Sequence, residues 1–149
     1  MIKRIAAAAL CVGMFGSVAT ADAAVRAGTY KGKTAQGAKV SLKVLSSKKA
    51  VIKFAWEGAA LGCSDGQTRD IEGTTSPSSV KFPLSRTGKF SFTADRPDGA
   101  LSFGAAGKIK GSKAAGGLQV QAKVDETNAL NPNGPIFCDS DIVAWTAKR

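Results

Sequence analysis

The stretch that decides the fold is LQVQAKV, residues 118–124. Positions 118, 120, 122 and 124 carry apolar side chains, and the positions between them carry glutamine or lysine. Successive side chains of an extended strand point to opposite faces. The alternation therefore predicts a β-strand with one face in a hydrophobic core and the other face in water.

The same alternation recurs along most of the chain, and helical spacing is nearly absent. It covers residues 40–44, 52–57, 80–84, 89–93 and 101–110, with a first strand expected at 28–32 and a last strand at 142–147. Glycine-containing turns such as Thr87-Gly88 and Asp98-Gly99 separate the segments at short intervals, which favours consecutive hairpins. Residues 59–79 have the least regular pattern.

These patterns predict one all-β, antiparallel domain of eight or nine strands, mostly a meander. A flattened barrel and a two-sheet sandwich both satisfy the alternation. Because exposed edge strands invite pairing with other chains, we expect the first and last strands to close on each other.

The first 23 residues carry the marks of an export signal. Lys3 and Arg4 form a basic start, residues 5–20 are apolar and uncharged, and Ala21-Asp22-Ala23 fits the small-residue cleavage rule. We predict a cleaved signal peptide at 1–23, with cleavage after Ala21 as the second choice, and a secreted or extracytoplasmic domain at 24–149. This Ala- and Gly-rich run is too weakly apolar for a membrane span, so no span is expected in the mature chain.

Two cysteines, Cys63 and Cys138, remain after removal of the leader with Cys11. In an oxidising compartment, two cysteines predict one disulfide. It would pin the irregular segment 59–79 to the last strand. The chain has no histidine, so neither a zinc site nor a cysteine–histidine catalytic pair can be completed.

The mature chain is strongly basic. The whole chain has a formal net charge of +10, and loss of Lys3, Arg4 and Asp22 leaves +9. Such a charge attracts anionic wall polymers or lipid headgroups, and it also serves solubility. The lysines are spread along the sequence, which argues against a single basic patch. Exposed aromatic side chains beside lysines, which single-strand binding needs, are not evident, so no specific nucleic-acid partner is expected.

Enzymatic chemistry is limited by the absence of histidine, and we favour a non-catalytic domain. A carboxylate pair can still hydrolyse a glycosidic bond, and this is our third hypothesis. The candidate acids are Glu57, Asp65, Asp70, Glu72, Asp139 and Asp141. The sequence specifies no cofactor and no oligomeric state.

Two further sites are considered. A closed barrel can hold a small apolar ligand, in which case Tyr30, Trp56 and Trp145 would line the cup; filling of the core by the same residues is the competing interpretation. A disulfide would also bring Asp65, Asp139 and Asp141 together as calcium ligands. We favour a second interpretation, in which Asp65 lies in a turn and the aspartates form salt bridges with Arg69 or a lysine.

A set of motifs spans nearly the whole mature chain. They are Gly28-x-Tyr30-x-Gly32, Gln36-Gly37, Cys63-x-Asp65-Gly66, Gly88-x-Phe90, and Cys138 followed by Trp145-x-Ala147-x-Arg149. In these marks the chain resembles a group of small exported bacterial β-proteins of the actinobacterial type. The resemblance implies the all-β fold and the disulfide, and it implies no activity. From the basic charge, the leading hypothesis is a secreted domain that binds an anionic envelope or wall surface, and the second hypothesis is a small-ligand-binding barrel.

Overall fold

The computed structural model describes residues 23–74 and 81–149. These residues form strands and no helix, so the all-β prediction is confirmed, and no helix able to cross a membrane occurs in these two ranges. Residues 1–22 of the predicted signal peptide and Val80 of a predicted strand lie outside them. The ten strands are β1 (Gly28–Thr34), β2 (Lys39–Val44), β3 (Ala50–Cys63), β4 (Thr68–Thr74), β5 (Phe82–Pro83), β6 (Lys89–Asp95), β7 (Leu101–Lys110), β8 (Lys113–Val124), β9 (Ile136–Asp139) and β10 (Val143–Lys148).

Six of the strands close into a barrel in the order β10-β1-β2-β3-β9-β8, because β8 pairs back with β10. β4 and β5 pair with β3 outside this ring, and β7 and β6 continue the sheet beyond β8. Of the two architectures that the alternation allows, the chain adopts the barrel. The structure has ten strands, whereas eight or nine were expected. The difference comes from two short strands, the two-residue β5 and the four-residue β9.

The first and last strands pair with each other, as expected. β1 and β10 are antiparallel, from Lys31 opposite Lys148 to Thr34 opposite Trp145. Each of these strands has a second neighbour, β2 for β1 and β8 for β10. Over the residues paired in this ladder, both edges of each strand are therefore occupied.

The alternating apolar residues form a single core. All four apolar positions of the stretch 118–124 are at most 2% exposed. Phe54 of β3 packs edge-on against Phe92 of β6 and Trp145 of β10, with ring centroids 5.7 and 5.5 Å apart. Phe82 of the short β5 stacks on Phe92 at 3.8 Å. The core thus joins the outer strands β5 and β6 to the closed ring.

Segment 59–79, expected to be the least regular, is largely strand where it is described. β3 continues through Ala59 to Cys63, and β4 begins at Thr68. The register between β3 and β4 shifts between Trp56 and Ala59, where Gly58 has a φ of 75°. A bulge of this kind inserts a residue and breaks the two-residue alternation, which explains why the pattern in the sequence does not reveal the strand.

The predicted disulfide between Cys63 and Cys138 is present, with an S–S distance of 2.01 Å. The two residues lie opposite each other on β3 and β9, and among the described residues this ladder has one further pair, Gly62 with Asp139. Cys138 belongs to β9 and not to the last strand, which corrects that expectation. The disulfide therefore closes the barrel at its shortest ladder.

Candidate anion-binding face

Four lysines from four neighbouring strands stand side by side on the outer surface. Lys110 of β7 lies opposite Lys113 of β8, Lys113 opposite Lys148 of β10, and Lys148 opposite Lys31 of β1. All four residues are exposed. Directly opposed residues of antiparallel strands point to the same face, with Cβ atoms about 5 Å apart. The four lysines thus form a row that crosses the sheet.

A second row runs beside the first, two residues away along each strand. From β6 to β2 it contains, in register, Lys89, Lys108, Ala115, Thr146, Lys33 and Lys39. The next residue in register is Glu57 of β3, whose carboxylate Oε2 lies 3.1 Å from Nζ of Lys39. We call the eight lysines of the two rows the lysine face: Lys31, Lys33, Lys39, Lys89, Lys108, Lys110, Lys113 and Lys148.

A depression of about 520 Å³ lies within the lysine face, and we call it the trough. Ala115 of β8 and Thr146 of β10 are direct cross-strand partners at its centre. Because these two side chains are short and the lysines beside them are long, the surface is hollow between them. The residues that line the trough are Lys108, Lys110, Lys113, Ala114, Ala115, Thr146, Ala147 and Lys148.

Acidic residues lie at the opposite ends of β6 and β8. β8 begins at Lys113 and ends at Val124, directly before Asp125. Asp139 of β9 lies opposite Gln121, which is about 26 Å along β8 from Lys113 at the usual rise per residue. β6 runs in the same sense, from a lysine to an aspartate. The positive charge is therefore unevenly distributed over the barrel.

This clustering corrects the inference that the lysines form no single patch. The residues of the face extend from position 31 to position 148 in the sequence, and they come together only through strand pairing. The sequence alternation shows that each lysine faces solvent on its strand. It does not show the strand register, which decides which outward-facing positions become neighbours.

The three aromatic residues considered as the lining of a ligand cup lie in the interior. Tyr30, Trp56 and Trp145 are at most 1% exposed. The Tyr30 hydroxyl lies 2.7 Å from the carbonyl oxygen of Gly111, and Nε1 of Trp56 donates to the carbonyl oxygen of Ile71 at 3.1 Å. Nε1 of Trp145 has no hydrogen-bond partner among the described residues. All three side chains belong to the hydrophobic core cluster.

The carboxylates of two calcium candidates, Asp65 and Asp139, have different hydrogen-bond partners. Asp65 accepts two hydrogen bonds from the Arg69 guanidinium, at 2.8 and 2.6 Å. Asp139 accepts one from Nε2 of Gln121 and one from the backbone N–H of Asp141, both at 2.7 Å. Within residues 23–74 and 81–149, no group of three acidic or cysteine side chains could hold a metal ion. The salt-bridged turn is the arrangement found at Asp65.

Electrostatic shifts at this acidic end follow from these contacts. The hydrogen bonds from Arg69 lower the pKa of Asp65 from 3.8 to about 2. Burial alone would raise the pKa of Asp139, but hydrogen bonds from Gln121, Asp141 and Gln119 outweigh it, and the net shift is downward. Both carboxylates are therefore held in the charged form.

Two of the acids considered for saccharide hydrolysis share one depression. Glu57 and Glu72 line it together with Trp56, because β3 and β4 pair beside the bulge. The Glu57 side chain is 62% exposed and is paired with Lys39. Catalytic acids are tuned by burial in a cleft. The exposure of Glu57 is typical of a surface ion pair and gives the hydrolase hypothesis no support.

Comparison with protein-family models, with curated proteins and with solved structures gives no match. The resemblance to the small exported bacterial β-proteins stays a prediction. By its fold and surface, the chain is a disulfide-linked, antiparallel β-barrel domain with a cationic outer face.

Proposed function

We propose that this chain is an exported, non-catalytic domain that binds anionic surfaces of the cell envelope through the lysine face. The observation that carries the proposal is the register of β6, β7, β8, β10, β1 and β2, which gathers eight lysines on one outer surface. Among the described residues, Glu57 is the one carboxylate in register with the two rows.

The electrostatics of the face support an anionic partner. Like charges at directly opposed positions destabilise a sheet, and a bound anion relieves that repulsion. A lysine close to an anionic surface contributes about 1 kcal/mol. Two residues along a strand span about 7 Å, which is less than the Debye length of about 8 Å at physiological ionic strength. Both rows therefore act on the same anionic partner, and salt weakens their combined effect.

A triple variant tests the proposal. Lys31, Lys113 and Lys148 are exposed members of one row with no salt-bridge partner among the described residues. We expect Lys31→Gln, Lys113→Gln, Lys148→Gln to weaken binding to vesicles that contain phosphatidylglycerol and to linear polyphosphate. Each lost lysine–phosphate contact should lower the slope of log affinity against log salt by about 0.7, as for flexible single strands. Titrations at several salt concentrations measure it.

The matched control removes the same charge elsewhere. Lys49, Lys81 and Lys123 are exposed and lie outside both rows, and their triple glutamine variant should keep most of the affinity. Equal losses in the two triple variants would show that net charge alone drives binding, and the proposal would then be wrong. Tight binding of the wild type in half-molar salt, where the Debye length is about 4 Å, would also contradict it.

A further inference from the structure

The trough gives the lysine face a shape as well as a charge. In the row from Lys89 to Lys39, Ala115 and Thr146 occupy the two central positions. The neighbouring row has lysines at the corresponding strands, Lys113 beside Ala115 and Lys148 beside Thr146. The trough therefore lies where lysines flank a pair of short side chains on three sides, with Gly117 and Ala144 on the fourth.

The direction of the lysine rows matches an extended ligand. Neighbouring strands lie about 4.8 Å apart, so the row from Lys110 through Lys113 and Lys148 to Lys31 covers three steps, or about 14 Å. From β8 to β2 the rows cross strands of the closed ring, and the outer wall of a closed barrel is convex. A flat membrane meets such a wall at its crest, whereas a flexible chain can follow the curve and reach the trough between the lysines.

We propose that the trough seats one unit of a linear polyanion, whose neighbouring units lie along the lysine rows across the strands. This inference rests on the proposed function and specifies its partner. The methyl group of Ala115 contacts the body of the unit, the Thr146 hydroxyl is available to an oxygen of the unit, and the lysines at the rim neutralise its phosphate, sulfate or carboxylate group. A flat lipid surface uses the same charges but does not fill the trough.

A substitution that fills the trough without changing its charge distinguishes binding of a linear polyanion from binding of a flat lipid surface. Ala115→Leu places a larger apolar side chain at the centre of the trough. Ala144→Leu is the matched control, since Ala144 is an exposed alanine of β10 that lies opposite Gly117, outside the trough. Binding of each variant is measured with long-chain polyphosphate, with orthophosphate, and with phosphatidylglycerol vesicles.

We expect Ala115→Leu to lose roughly tenfold in affinity for long-chain polyphosphate, the equivalent of one or two ionic contacts. Vesicle binding by this variant, and polyphosphate binding by Ala144→Leu, should change by less than about twofold. For the wild type, affinity should rise with polyphosphate length up to chains that span about 24 Å, the five strand spacings from Lys89 to Lys39. Orthophosphate should compete poorly.

Three outcomes would overturn the inference. The first is polyphosphate binding by Ala115→Leu at wild-type affinity, the second is an equal loss for vesicles and polyphosphate, and the third is orthophosphate binding as tight as that of the long chain. In each of these cases the lysine triple variant still reports on the proposed function by itself. If Ala115→Leu does not fold, judged by thermal melting, Ala115→Gln fills the same position with a side chain suited to an exposed surface.

Discussion

Lys31 and Lys148 lie directly opposite each other on β1 and β10, although they come from opposite ends of the folded chain. On its other side Lys148 faces Lys113 of β8. The strand pair that joins the first and last strands thus also carries one end of a row of like charges. Since opposed like charges destabilise a sheet, the positive charge of Lys148 lowers the stability of the fold while it favours anion binding.

Lys148→Glu should stabilise the fold and weaken polyanion binding. The new carboxylate would face Lys31 and Lys113, and a cross-strand ion pair in place of a repulsive pair contributes about 0.5–1 kcal/mol. Urea unfolding measures the gain, and polyphosphate titration measures the loss. Lys148→Gln removes the repulsion without adding an attraction, so its stability should lie between the two. A Lys148→Glu variant less stable than the wild type would contradict the cross-strand arrangement.

Loss of the disulfide should destabilise the domain by roughly 2–5 kcal/mol. Apart from Cys63 and Cys138, β3 and β9 are joined by the pair Gly62 and Asp139. Ser64, directly after β3, adds two hydrogen bonds to Phe137: its N–H donates to the Phe137 carbonyl oxygen, and its Oγ accepts from the Phe137 N–H. Few contacts therefore remain to close the barrel. Urea unfolding of Cys138→Ser measures the cost, and the reduced wild type should show a similar loss. Unchanged unfolding midpoints in both samples would show that the barrel closes without the disulfide.

Stability should fall between about pH 4 and pH 2, in part through Asp65. The pKa of Asp65 is lowered from 3.8 to about 2 by Arg69. A group with a lowered pKa in the folded state stabilises that state above its unfolded pKa, and the contribution is lost as the pH falls through the folded pKa. Asp139, whose pKa is also lowered, acts in the same direction.

Urea midpoints measured across this pH range check that expectation. Asp65→Asn should make the midpoint less dependent on pH, because the ion pair with Arg69 is already absent. Asp70→Asn, at an exposed position of β4, controls for the loss of one negative charge. An Asp65→Asn variant with the same pH dependence as the wild type would show that the Arg69 pair does not contribute.

The mature protein should begin at Ala24 or, after cleavage at the second site, at Asp22. The carbonyl oxygen of Ala23 accepts a hydrogen bond from the N–H of Gly111 at 3.1 Å, and only cleavage after Ala21 retains this bond. Intact-mass measurement of protein recovered from the culture medium distinguishes the two sites. An intact Met1 on exported protein would contradict the signal-peptide prediction.

Local features of the sequence were sufficient for the strands with unbroken alternation. Residues 118–124 predict the centre of β8 because each side chain's face is set by its own position in the extended backbone. Local features failed at Gly58, where a bulge changes the phase within β3. They also missed the assignment of Cys138 to β9, because that strand has only four residues.

The sequence by itself determined the all-β class, the outward phase of the lysines and the two cysteines able to form a disulfide. Only the tertiary structure decided that the barrel closes, that Lys31, Lys113 and Lys148 become neighbours, and that Ala115 and Thr146 leave a hollow among them. The physical reason is the range of the interactions. Alternation depends on the backbone within one strand, whereas register and closure depend on pairing between segments far apart in the chain.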